Sequence, residues 1–212
     1  MTRATKIQLQ DAIIDAMEKA SSDAFEKSGV HIRRMPEYFL NVIIANELSN
    51  KFPTLGYRLE MPVKEALNGF GLSQYLSPQE LRINGKFYIA IISIGSRKLR
   101  HIIEVKRSLS KRQLLKESKR LKALAAEGHQ SKRLETGYIA AISRLGSTAR
   151  SYDVDQLLDT RLEFLVEQLG DAVNVSCRYK VMDAGAYGFD SSTSLLLVVF
   201  RIKKAIKKPV LC

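Results

Sequence analysis

The spacing of apolar residues changes period several times along this chain, and each change marks an element. From residue 5 to 27, Leu9, Ile13, Ala16, Met17, Ala20 and Ala24 recur every three or four positions. That spacing predicts an amphipathic helix, and Gly29 is its stop. After the basic connector HIRRM, Pro36 opens a second predicted helix over 36–51, with Phe39, Leu40, Ile43, Ile44 and Leu48 on one face. Glu47 borders that face. Tyr57 to Met61 alternates as a strand does, and Pro62 places it at a sheet edge. Residues 64–80 read as a mixed loop, with a short helical piece from Ser77-Pro78-Gln79-Glu80.

Asn84-Gly85 is a two-residue hairpin turn signal between Leu81-Arg82-Ile83 and a strand over 86–93. The stretch KFYIAIISIGSRKLRHIIEVKRS, residues 86–108, then reads as two strands joined by a polar, glycine-containing turn. The second ends in Glu104-Val105-Lys106, which puts a carboxylate and an amine on one strand face. Ser108 or Ser110 caps a helix running to about Glu127. Leu114, Leu115, Ser118, Leu121 and Ala125 form its apolar stripe; Lys111, Arg112, Lys116, Lys119 and Lys122 take the rest. The continuous apolar run at 137–143 predicts a central strand covered on both faces. A helix over 153–169 and strands over 173–182 and 194–202 complete the chain, with a glycine-rich turn region between the last two.

A helical connection between two strands implies a parallel pair, whereas the hairpin before it is antiparallel. The expected fold is α/β, a mixed central β-sheet flanked by helices. No linker or repeat divides the sequence, so one domain over 1–212 is expected. It comprises an N-terminal helix and connector (1–35), a core (36–145) and a C-terminal helix and strand pair (146–212).

Composition changes this picture in one respect. Apolar residues make up 45% and charged residues 26%, as in ordinary globular proteins, but the formal net charge is +12. Residues 97–133 hold 13 Lys or Arg against three Glu, so the excess is concentrated around the predicted basic helix. Clustered positive charge favours a polyanionic partner, here nucleic acid, through phosphate contacts. The two cysteines, Cys177 and Cys212, have no metal-site spacing and indicate a reduced, cytoplasmic protein. Asp11 and Asp15 interrupt the first apolar stretch, so no signal peptide is expected, and no run is long enough for a membrane span.

The element order, with a helical Glu, a hairpin and Glu-Val-Lys closing its second strand, resembles the PD-(D/E)XK superfamily, the restriction-endonuclease-like fold. The resemblance covers roughly residues 36–145. It implies Mg²⁺-dependent hydrolysis of duplex DNA, with Glu104 and Lys106 matching the second half-motif and Glu47 matching the helical acid. Glu104 with Glu47 or Glu60 would hold the metal, and Lys106 would position water or stabilise phosphate charge. Arg107, Lys111, Arg112, Lys116 and Lys119 would contact phosphates. One residue departs from the pattern: Tyr88 stands where the family has its first metal-binding Asp, and a neutral phenol is a poor Mg²⁺ ligand. The resemblance therefore leaves two expectations. One is an atypical endonuclease; the other is an inactive DNA-binding or protein-interaction module in a larger complex, such as one in defence involving a mobile element. A homodimer also stays open.

Overall fold

The computed structural model describes residues 5–70, 84–126, 134–145, 154–189 and 193–205. Its centre is a six-stranded mixed sheet in the order β1-β2-β3-β4-β6-β5. The strands are β1 (Leu55–Pro62), β2 (Lys86–Ser93), β3 (Leu99–Lys106), β4 (Thr136–Leu145), β5 (Val173–Asp183) and β6 (Ser194–Lys204). Only the β3/β4 pair is parallel; the other four pairs are antiparallel. This is the mixed α/β sheet flanked by helices that the periodicity implies. β1 is at an edge, as Pro62 requires.

Helices α1 (Lys6–Ser28) and α2 (Glu37–Lys51) cover one face of the sheet. Helices α3 (Val63–Phe70), α4 (Lys111–Ala126) and α5 (Val154–Leu169) cover the other. Strand alternation divides the core between these layers. Ile103 and Val105 of β3 join the α1/α2 side, and Ile102 joins the α3/α4/α5 side. Glu104, in register with Ile102, therefore faces α4. β4 and β6 are covered on both faces, and Leu195 through Phe200 are fully buried.

Two expectations need correction. Helix α3 lies where a loop was expected, because Val63, Ala66, Leu67 and Phe70 follow the i, i+3, i+4, i+7 pattern and all four are buried. The second concerns Asn84-Gly85. β2 has β1 on one side and β3 on the other, so its edges are already taken without a partner at 81–83, which lie outside the described residues. The short helical piece expected from Ser77 lies outside them too.

Two features fix α4 above the end of β3. Ser110 caps the helix, its Oγ accepting from the Gln113 N–H at 3.3 Å. Further along, a Cβ at Gly137 of β4 would lie 2.8 Å from Leu121 side-chain atoms, so only glycine lets the helix sit this close to the strand.

Candidate functional site

Seating α4 against β3 brings four ionisable side chains together under the helix. Lys106 Nζ lies 3.7 Å from Glu104 Oε2 and 3.3 Å from Glu117 Oε1. Arg120 NH1 lies 3.5 Å from Glu104 Oε1 and 2.7 Å from Glu117 Oε2. Each cation thus bridges both carboxylates, and the formal charge balances. Glu104 and Arg120 are each 1% exposed, and the Lys106 side chain 12%. The Arg120 guanidinium also covers the Phe87 ring at 4.5 Å and donates to the Lys86 carbonyl at 3.3 Å.

The two acids are held differently. Burial, and then the neighbouring Glu117, push the Glu104 carboxyl up from an ordinary 4.5 to about 7; Arg120 and Lys106 pull it back only in part. Their contacts with Glu104, at 3.5 and 3.7 Å, are longer than charge-assisted hydrogen bonds. Glu117 is also pushed up by burial, but its closer contacts with Lys106 and Arg120 outweigh that and hold it below the ordinary value.

Tyr88 caps this quartet at the end of the strands. Lys106 Nζ lies over its ring, 4.5 Å from the centroid, and Glu37 at the start of α2 acts on its hydroxyl. Burial, and then the charges of Glu37, Glu104 and Glu117, raise the phenol's pKa. Tyr88 therefore packs as a neutral ring against the site.

Of the residues expected to act together, Glu104 and Lys106 meet. Glu47 does not join them. It sits on α2, on the opposite side of the sheet, with a 36% exposed side chain 4.0 Å from Lys19 of α1. The cause is the strand alternation that turns Glu104 toward α4. Glu60 is also elsewhere, bonded to Lys86 Nζ at 2.6 Å on the exposed edge strand, with φ of 52° between the Leu59/Ile89 and Met61/Phe87 pairs. Neither residue reaches Glu104 as a metal ligand. Arg107 faces inward to the connector, its guanidinium donating to the carbonyls of Arg33, at 3.2 Å, and of Met35. Lys111, Arg112, Lys116 and Lys119 are all exposed. Buried His101 packs beside Tyr138, with ring centroids 5.9 Å apart.

Three site residues escaped the sequence. Glu117 and Arg120 lie three apart on α4, and that spacing, three and four residues from Leu114, Leu121 and Leu124, would have placed them on the buried face. Glu37 carries no comparable signal, since only the fold brings it to Tyr88.

Mg²⁺ takes about six oxygen ligands at ~2.0–2.1 Å. Here the converging oxygens belong to Glu104 and Glu117, and both already contact two fixed cations. A divalent ion between the carboxylates would face Lys106 and Arg120 at close range, each unit-charge repulsion costing about 4 kcal/mol at 4 Å near a protein surface. These residues do not fit a resident Mg²⁺. Among the described residues no group of three or more His, Cys, Asp or Glu could hold a metal ion. Nor, among those residues, is any helix long and apolar enough to cross a membrane.

A cleft of about 600 Å³ opens at the other end of β3, lined by Met61, Glu65, Phe70, Arg97, Leu99 and Arg100 among others. Two of its ionised groups are paired, Glu65 with Arg58 and Arg100 with Glu135. Comparisons with family models, with curated proteins and with solved structures found no match.

Proposed function

We propose that the chain is a nucleic-acid-binding protein of restriction-endonuclease-like architecture, which engages duplex DNA along the outer face of α4 as part of a larger complex. The observation that carries this reading is the row Lys111, Arg112, Lys116 and Lys119. All four are exposed, and none has a carboxylate partner among the described residues. At 3.6 residues per turn, these four and the half-buried Lys122 fall within roughly 140° of the helix circumference, along about 16 Å of its length. B-DNA carries roughly ten phosphates over that distance, counting both strands. The opposite face of the same helix is apolar or neutralised, so the positive charge points outward.

Apart from α3, inserted between β1 and β2, the helix, three antiparallel strands, helix and parallel strand from α2 to β4 follow the superfamily's element order, and Glu104-Val105-Lys106 ends β3 as its motif does. The neutralised quartet, with Tyr88 over Lys106, favours the binding module over the endonuclease. Cys177 is a free thiol, which accords with a reducing cytoplasmic setting.

Fluorescence anisotropy with a labelled duplex at several salt concentrations tests the proposal. Replacing Lys111, Arg112, Lys116 and Lys119 by Gln should weaken binding at least tenfold and flatten the salt dependence by up to ~0.9 in slope per lost contact. Absence of duplex binding at ~150 mM salt would overturn it. Incubating plasmid with Mg²⁺ or Mn²⁺ separates the second expectation. Cutting by the wild type that is lost in both Glu104→Ala and Lys106→Ala would establish an endonuclease and remove the module reading.

A further inference from the structure

The connector between α1 and α2 carries a second concentration of positive charge that the α4 row does not include. Ile32 buries its side chain in the core, and the ring of His31 stacks on Phe189 at 4.2 Å between centroids. These two anchors hold the turn Ile32–Arg34, leaving Arg33 and Arg34 exposed. Arg107 completes the anchoring, since its guanidinium binds the Arg33 and Met35 carbonyls and ties the connector to the end of β3. From the neighbouring strand comes Arg144, exposed near the end of β4, whose Nε and NH2 donate to Thr193 Oγ1 at 3.2 and 3.0 Å.

Backbone contacts join the two sides: the Phe189 N–H donates to the Ala184 carbonyl at 3.1 Å and the Ala184 N–H to the Thr193 carbonyl at 3.2 Å, so the residue under the His31 ring and the residue that holds Arg144 belong to one turn. Burial, and after it the charges of Arg34, Arg33 and Arg144, hold the His31 pKa below its ordinary value. No carboxylate among the described residues pairs with any of the three. Like charges fixed around one point repel unless a counter-anion joins them. The position lies at the carboxyl ends of the adjacent parallel strands β3 and β4.

We propose that Arg33, Arg34 and Arg144 form a phosphate-binding site at the end of the sheet, which takes a phosphodiester group of the same nucleic acid that lies along α4. The source named here rests on the DNA-binding reading above; the chemistry, a phosphate oxyanion held by planar guanidinium forks, does not. Arg107 is then a positioning residue, since NH1 and NH2 of its guanidinium both bind the connector backbone.

Two measurements test it. First, Arg33→Gln/Arg34→Gln, which leaves the Arg144–Thr193 bonds in place, and the triple variant with Arg144→Gln are compared with wild type for duplex binding across salt. Binding should weaken roughly tenfold in the triple variant, with a salt slope flatter by ~2–3. Second, inorganic pyrophosphate is titrated while the C2 proton of His31, one of three histidines, is followed by NMR. The resonance should move and saturate in wild type and stay fixed in the triple variant. If the triple variant binds duplex as wild type does while the α4 variant loses binding, the assignment of this site to the nucleic acid is overturned and the α4 reading stands. If wild type binds no duplex yet pyrophosphate moves His31, the DNA reading falls and the site is one for a free phosphate. A His31 resonance that pyrophosphate leaves unmoved, with duplex binding unchanged in the triple variant, overturns the site altogether.

Discussion

The inner and outer faces of α4 carry the same kinds of side chain to opposite ends. Against the inner face, Arg120 and, from β3, Lys106 meet two carboxylates within 2.7–3.7 Å and largely out of solvent. On the outer face, Lys111, Arg112, Lys116 and Lys119 stand in solvent with no carboxylate partner among the described residues. Buried charge has to be balanced, because desolvation is costly and a lone ion cannot stay there. Exposed charge needs no internal partner, and left unpaired it is available to a polyanion. The positive charge of this helix is therefore not one property. Half of its site is structural electrostatics, and the other half is a surface.

The comparison breaks first at Arg120. Replacing it with Met leaves two buried carboxylates facing Lys106 alone, and should cost ~3–5 kcal/mol in urea unfolding. A cost below ~1 kcal/mol would mean that the quartet opens to water. Stability against pH sharpens the same point from the acid side. The Glu104 pKa is raised in the folded state, so its contribution is fully present below about 4.5 and is lost as pH rises to about 7. Glu104→Gln should remove that component. The wild type should then lose stability relative to the variant across this window, and a constant difference from pH 4 to 8 would refute the shift. The smallest effect belongs outside: Lys116→Ala or Lys119→Ala should change stability by no more than about 0.5 kcal/mol, while weakening duplex binding. Equal losses of stability from inner and outer substitutions would erase the contrast.

Much of the architecture was legible beforehand because it rests on local periodicity. The run Leu195–Phe200 and the stripe of α1 had a single way to be buried. The parallel β3/β4 pair followed from the helix between them. Helix α3 was missed although its four buried residues have helical spacing, since one short element with a lysine and a glutamate in its first turn looks like polar loop. Pairing at the site was harder to read. Glu47 and Glu104 are both acids near apolar faces, yet they lie across the sheet from one another. That separation depends on which side of β3 residue 104 faces, and only packing on both sides determines it.

By itself, then, the sequence determined that Glu104 and Lys106 share a strand face, that a basic helix follows them, and that a mixed sheet holds both. These follow from periods of two and of 3.6, which any segment carries within itself. Only the tertiary structure decided what Glu104 meets. Long-range packing brought Glu117, Arg120 and Tyr88 to it, sent Glu47 to Lys19, and gathered Arg33, Arg34 and Arg144 around His31 from elements more than a hundred residues apart. Charges separated that far along the chain become neighbours only once apolar burial has fixed the layers. The chemistry at the end of β3 is thus a property of the packed sheet.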